Sequence, residues 1–554
     1  MRRILASVFL VLLLAGCVQT GPATSGESSG PVEPEPIVSV SGSGRGPNSG
    51  ADWVERILGD HGGGEEGFAT HRLWESHVGL STPNFIELAH DPLAVPGFEG
   101  ATAGGYYCGG QADTSDGRKI TVISSFDTAV AFVVVDSTDP LRPIYLGDYF
   151  LDFAQTYDVD VTPDGKHVAI AANIPLGGQQ AQGPPALDAA GLPLPVQVPL
   201  RAWFRDGCTG EVRPAGPLDT AARTVAAGPS TILVSLADPT SPQFEDIAPA
   251  PVLGPHSVST AIIDGHTYIA SSITNLAHQA SYFEFFEVVT VPDPSGTYPD
   301  GFGRLVPLSV VDAAVFGATA VTNGHVDAEI SKHPVTGKAV VYLSDWEGGL
   351  AILDFSIPQA PTLLSTWKDA GVQGGQIHST RSIDGVHNGR HYLLVGQEFI
   401  SHPENRPSGW VYILDDTDPA AVKEVGRWTL PIDVEAEWNG IELYSTHYFR
   451  VLGETVFIAM YHGGVWAFKL DYENPENMKL PPSVGAFVPD KGPHSGRTPD
   501  GTYDFGPFVL DVFPYPDGTL VIFDGLSGVY VVQYDEAKDM TPPEPWPAEG
   551  KTLG

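Results

Sequence analysis

The chain is poor in cysteine, in basic charge and in helical periodicity. Three cysteines in 554 residues are too few for a disulfide framework or a cysteine-rich metal site. Only 29 lysines and arginines stand against 67 acidic residues, a formal charge of −38. A surface of that sign repels nucleic acid and anionic head groups and attracts cations and basic ligands. Apolar residues at helical spacing are scarce, and Trp53 to Leu58 is the best short stretch, so helices have little part in the fold. The apolar run Ile4 to Leu14 is too short to cross a bilayer as a helix. No phosphate-binding glycine loop, zinc-protease helix or dinucleotide fingerprint is present.

Arg2 and Arg3 precede that apolar run, and Leu14-Ala15-Gly16-Cys17 closes it, as in a cleaved export signal. The four closing residues resemble the lipobox of prokaryotic lipoproteins. The resemblance implies cleavage before Cys17, lipidation of its thiol and an extracytoplasmic anchor, at the cell membrane or the outer membrane. A plain secretory signal with a chance cysteine is the alternative. Residues 18–50 are rich in Gly, Ser, Pro and Thr and bury too little apolar surface to offset chain entropy, so they read as a flexible tether. With Cys17 set aside, Cys108 and Cys208 either form one disulfide or remain two partly buried thiols. At 42% apolar and 10% aromatic residues, the chain has ample material for a large core.

Strand signals dominate from about residue 113. Short β-branched and aromatic runs such as Val130-Ala131-Phe132-Val133-Val134-Val135 are bounded by Asp, Pro and Gly. A hairpin recurs: Asp158 to Ala172, His256 to Ala270, His325 to Leu343, His378 to Val395, His447 to Ile458 and Asp511 to Phe523. Each contains a tight-turn pair such as Asp264-Gly265 or Asn388-Gly389, which supplies the positive φ angles a two-residue turn needs. A third strand follows, as in Gly464-Val465-Trp466-Ala467-Phe468, and an Asp-Pro or Asn-Pro turn introduces a fourth. A seventh unit begins near Lys119 without the His/Asp opening. Units of four short strands predict an all-β, seven-bladed β-propeller of antiparallel blades. The last unit runs out of chain after Asp535, so a strand from upstream of residue 119 is needed to close the ring.

The Val133-Val134-Val135-Asp136 to Asp139-Pro140 element resembles the LVIVD repeat of bacterial and archaeal surface propellers, and Val161-Thr162-Pro163-Asp164-Gly165-Lys166 is similar to the turn of YVTN-type repeats. The resemblance implies a cell-surface propeller. The resulting division is a signal peptide (1–17), a tether (18–50), a cap or closing-strand segment (51–112), a propeller (113–540) and a tail (541–554). A Pro/Gly-rich insertion at 174–229 is expected to decorate one face, where it could engage a protein or glycan.

His256, His325, His378 and His447 open four successive units, and the opening strand of a propeller blade lines its channel. Four neutral imidazoles can hold a divalent iron, copper, zinc or manganese ion. Asp158 and Asp511 open equivalent strands and could hold a histidine N–H behind the metal, and Glu329 could accept a proton beside it. Carotenoid oxygenases and selenium-binding/methanethiol oxidase proteins resemble this plan at the level of fold alone. The competing reading is that these histidines hydrogen-bond between blades. Two functions therefore stand: a lipid-anchored binding or scaffolding module, and a metal-dependent oxidase or oxygenase. Asp158 to Gly165 lacks most ligands of a calcium loop, and His61-Gly62-Gly63-Gly64 lacks an accompanying nucleophile elbow. His391, His462 and His494 read as exposed or structurally satisfied.

Overall fold

The computed structural model describes residues 81–91, 106–125, 130–151, 155–173, 196–197, 202–209, 211–215, 226–227, 230–250, 254–275, 280–293, 301–312, 316, 326–346, 348–369, 377–398, 409–430, 445–461, 463–489, 508–525 and 528–538. The signal, lipobox Cys17, tether, His61 turn, His325, His462, His494 and the C-terminal tail lie outside them.

Seven antiparallel sheets follow one another along the chain. Their first strands are Tyr106–Asp113, Gln155–Val161, Pro255–Ile263, Val326–Lys332, Ile377–Ser382, Phe449–Leu452 and Val509–Pro514, and they define blades 1 to 7. First strands of neighbouring blades pack against one another at six junctions, including that of blades 7 and 1, and at the 5/6 junction Ser379 Oγ donates to His447 O just ahead of the first strand of blade 6, so they line a central channel. The blade turns are as the sequence predicts. Asp264 and Gly265 take φ of 51° and 85°, and Asn388 and Gly389 take 50° and 79°, the left-handed pair of a two-residue hairpin.

The middle strands carry unbroken apolar runs because both of their faces are covered. Thr519–Asp524 and Tyr392–Gln397 are buried at every position. Seven separate apolar clusters lie between the blades, one for each junction from 1/2 through 6/7 and back to 7/1. The 7/1 cluster joins Phe513, Val521 and Phe523 to Ile123, Val133 and Val135, which is what closes a ring rather than leaving an open stack. Each large side chain buried there contributes about 1.5–3 kcal/mol.

The closing strand is Phe85–Asp91, which pairs antiparallel with Gly528–Tyr534 as the outermost strand of blade 7. Asn84 Nδ2 also donates to Val484 O of blade 6 at 2.8 Å. The first strand of blade 1, Tyr106–Asp113, likewise comes from the 51–112 segment. Part of the insertion does more than decorate a face. Its strands Ala202–Asp206 and Val212–Pro214 extend the outer edge of blade 1, with Ala202 opposite Leu151 and Asp206 opposite Gly147. Its Arg205 pairs there with buried Asp148, and Phe244 N of blade 2 donates to Ala215 O. Covering an edge strand in this way removes a row of unpaired backbone groups.

Cys108 is buried and Cys208 exposed, and the two are not bridged to each other, so of the two options the disulfide is not the one formed. Cys108 lies on the innermost strand of blade 1, and Cys208 follows a strand four neighbours further out. Four strand spacings amount to roughly 19 Å, against the ~7 Å limit between Cα atoms of a bridge.

Candidate metal centre

Strand direction divides the ring into two faces. Each first strand runs to a tight turn, the second returns, and the third runs to an Asp-Pro-type turn. One mouth therefore carries the short turns, and the other carries the longer connections, among them the 174–229 insertion. Residues that open a first strand or follow a second strand share the long-connection mouth.

Three buried side chains converge there: His378 opens blade 5, Glu398 follows its second strand, and His447 opens blade 6. One ligand atom from each lies within 4.8 Å of the others. The imidazole centroids of His378 and His447 are 4.6 Å apart, and His378 Nε2 is 3.7 Å from Glu398 Oε2. Ligands around a metal with bonds of about 2.1 Å sit roughly 3.0–3.4 Å apart, so the three atoms need only a small inward shift.

The chemistry of the donors fits a cation. His447 Nδ1 donates to Leu510 O of blade 7 at 2.8 Å, which leaves the lone pair on Nε2, the form a metal requires. His378 Nδ1 is buried without a hydrogen-bond partner among the described residues, and 3.7 Å is too long for its Nε2 to bond Glu398. Glu398 is only 4% exposed and is oriented by two aromatic donors. Trp346 Nε1 of blade 4 donates to Oε2 at 3.0 Å, and Tyr461 Oη of blade 6 donates to Oε1 in a short contact. A buried carboxylate calls for a compensating positive charge. Sequence reasoning found the two histidines through their register. Glu398 and Tyr461 follow second strands, outside the repeat positions that drew attention to the histidines.

His256 stays apart from this group, with its ring 5.6 Å from that of Tyr157. Asp158 and Asp511 do not back a histidine either. Asp158 accepts from Val159 N and, across the 2/3 junction, from Val258 N at 3.0 Å. Asp511 accepts from Val512 N and from the Arg450 guanidinium at 2.9 Å. Glu329 accepts from Ser382 N of blade 5 at 2.9 Å. Ser382 lies four residues beyond His378, roughly 13 Å along the strand, so Glu329 serves the opposite half of the channel and cannot take a proton at the metal centre. The interblade reading of the histidines therefore holds for His447 Nδ1, alongside its capacity to coordinate.

These carboxylates make the channel an electrostatic device in its own right. Burial pushes Asp160 and Asp511 up to about 6 and Glu329 up to about 7, while Arg450 and Arg381 pull in the opposite direction. Burial also raises Asp158 and Asp327.

A second buried trio, His333, His391 and Asp416, lies at the turn-bearing end of blades 4 and 5. Its hydrogen bonds satisfy it only in part, since His391 Nδ1 and Asp416 Oδ1 are buried without a hydrogen-bond partner among the described residues. His333 Nε2 donates to Asp416 O at 2.7 Å while its Nδ1 accepts from Thr336 N, and Tyr342 Oη donates to Asp416 Oδ2. Ser382, His391 and Asp416 stand in hydrolytic order, with Ser382 Oγ 3.1 Å from His391 Nε2 and His391 Nδ1 3.3 Å from Asp416 Oδ2. However, the Glu329 carboxylate occupies the Ser382 N–H and would repel a developing oxyanion there.

No family model and no curated protein matches the chain. Solved structures do match, among them the computationally designed Ika8 protein. It is 10% identical, and the match covers 78% of this chain and 96% of that one at a TM-score of 0.36. That likeness carries no argument about function.

Proposed function

We propose that this chain is an LVIVD/YVTN-like surface propeller, lipid-anchored through Cys17 outside the cytoplasm. On this reading it acts as a binding module whose long-connection mouth holds a divalent transition metal. The observation that supports it is the convergence of His378, Glu398 and His447, all buried, from two adjacent blades. Two neutral imidazoles and one carboxylate form a donor set suited to iron, manganese, copper or zinc. The tether would hold the mouth clear of the membrane, and the acidic surface favours cationic or basic partners over nucleic acid.

A metal-dependent oxidase or oxygenase is the second reading. It draws on the three protein ligands found among the described residues, a number that suits a catalytic rather than a structural centre. The test is metal analysis and titration of the soluble domain. One equivalent of metal is expected, lost in His378→Ala and Glu398→Gln and unaffected by Glu329→Gln. Metal-free protein with no measurable affinity for any of the four ions would end the proposal. Cys17→Ser should release the chain from the membrane fraction, and continued membrane association would refute the anchor.

A further inference from the structure

We infer that this centre is an open one, built to take a small anionic ligand on the metal, with Trp346 and Tyr461 holding Glu398 to a single coordinating oxygen. The inference rests on the metal reading above and deepens it.

The two oxygens of Glu398 have different surroundings. Oε2 faces His378 Nε2 and accepts the Trp346 indole N–H, while Oε1 accepts the Tyr461 hydroxyl. To chelate a metal through both oxygens, Glu398 would have to rotate Oε1 away from the phenol. Tyr461 is poorly able to follow. Its backbone sits at φ 49°, a conformation costly for a non-glycine residue. Reciprocal hydrogen bonds of 3.0 Å with Val509 hold it there, and its ring lies 4.7 Å from that of Phe508. Trp346 and Tyr461 come from blades 4 and 6, so the carboxylate of blade 5 is clamped from both sides.

With that clamp, the described residues supply three donor atoms. Divalent transition metals of this class take about four to six ligands, which leaves positions for a molecule from solution. A dication bound by two neutral imidazoles and one carboxylate keeps one unit of positive charge, so an anionic donor is favoured. The ligand must be small. His378 and His447 are 3% and 1% exposed, and the rings of Tyr448 and Tyr461 flank His447 at 4.6 and 5.1 Å.

The experiment uses the cobalt(II)-loaded full chain with azide as the probe, read by visible absorption. Saturable azide-dependent change of the cobalt bands is expected in the wild type. In Tyr461→Phe, examined at full cobalt loading, azide affinity should fall about tenfold, in line with the usual weight of groups that orient metal ligands. A purely structural tyrosine would leave azide affinity of the loaded protein unchanged. Cobalt bound at one equivalent with bands that azide does not move would overturn the inference and leave the metal reading standing. Unchanged azide affinity in Tyr461→Phe would overturn the clamp, and no cobalt uptake would overturn both readings.

Discussion

Raising the pH from 5 to 8 should destabilise this propeller, and the channel carboxylates set the size of the effect. Glu329 is raised from its ordinary 4.5 to about 7, and Asp160 and Asp511 from 3.8 to about 6. A carboxyl with a raised folded pKa binds its proton more tightly in the native state. Its stabilisation is full below the unfolded pKa and is lost as pH climbs through the folded value. Between pH 5 and 8 that amounts to about 2 kcal/mol for Glu329 and about 1 kcal/mol each for Asp160 and Asp511. Glu329 and Asp160 keep partial contact with channel solvent, so a net loss of about 3 kcal/mol is expected. The carboxyls shifted the other way, such as Asp354 at about 2, lose their stabilisation only below about pH 4 and do not interfere. The assay is urea unfolding of the soluble domain across this range, with Glu329→Gln as the control. Glutamine keeps an acceptor for Ser382 N and removes the titration, so it should take Glu329's share of about 2 kcal/mol out of the slope, while Asp160, Asp511 and Glu284, which burial also raises to about 7, keep the remainder. Stability that is flat or rising from pH 5 to 8, or a slope unchanged in Glu329→Gln, would refute the assignment of buried, proton-loving carboxyls to the channel.

Three further outcomes follow from packing. Phe85→Ala should cost about 3–5 kcal/mol and speed proteolysis, because Phe85 is buried against Phe457 and Tyr534 in the strand that closes the ring; unchanged protease resistance would argue against closure there. Gly426→Ala should cost at least about 2 kcal/mol, since a Cβ at that position would collide with the Met478 carbonyl oxygen; a wild-type unfolding midpoint would contradict the tight 5/6 contact. A maleimide should label Cys208 quickly in the native protein and Cys108 only after denaturation, with no mobility shift on reduction; equal labelling rates would misplace one of the two thiols.

The architecture was legible because a propeller writes the same local instruction seven times. The Asp264-Gly265 and Asn388-Gly389 turns fix hairpin twist through backbone sterics alone, and unbroken runs such as Val133-Val134-Val135 report burial on both faces. The metal centre was half legible for the same reason. His378 and His447 occupy a repeated register, so their convergence follows from blade geometry. Glu398, Trp346 and Tyr461 follow second strands, where the repeat imposes no residue type, and only the closed ring brings three blades to one point. The roles of Asp158, Glu329 and Asp511 were hidden differently. A carboxylate that opens a channel strand looks the same in sequence whether it faces a metal or a neighbouring N–H.

That ambiguity bears on why the ring tolerates so many buried charges. Asp158 bonds Val258 N, Asp160 bonds Thr260 N and Oγ1, Glu329 bonds Ser382 N, and His447 bonds Leu510 O, each across a blade junction. The innermost strands are the edges of their sheets, and their outward-facing N–H and C=O groups have no further strand to pair with. Side-chain acceptors and donors from the neighbouring blade fill that role, which apolar residues could not. A buried hydrogen-bonding group left without its partner costs about 1–3 kcal/mol, so the polar belt supports closure while holding its carboxyls in low dielectric. His447 belongs to this belt through Nδ1 and to the mouth through Nε2. The same interblade bond that closes the 6/7 junction thereby sets the tautomer that a metal would need.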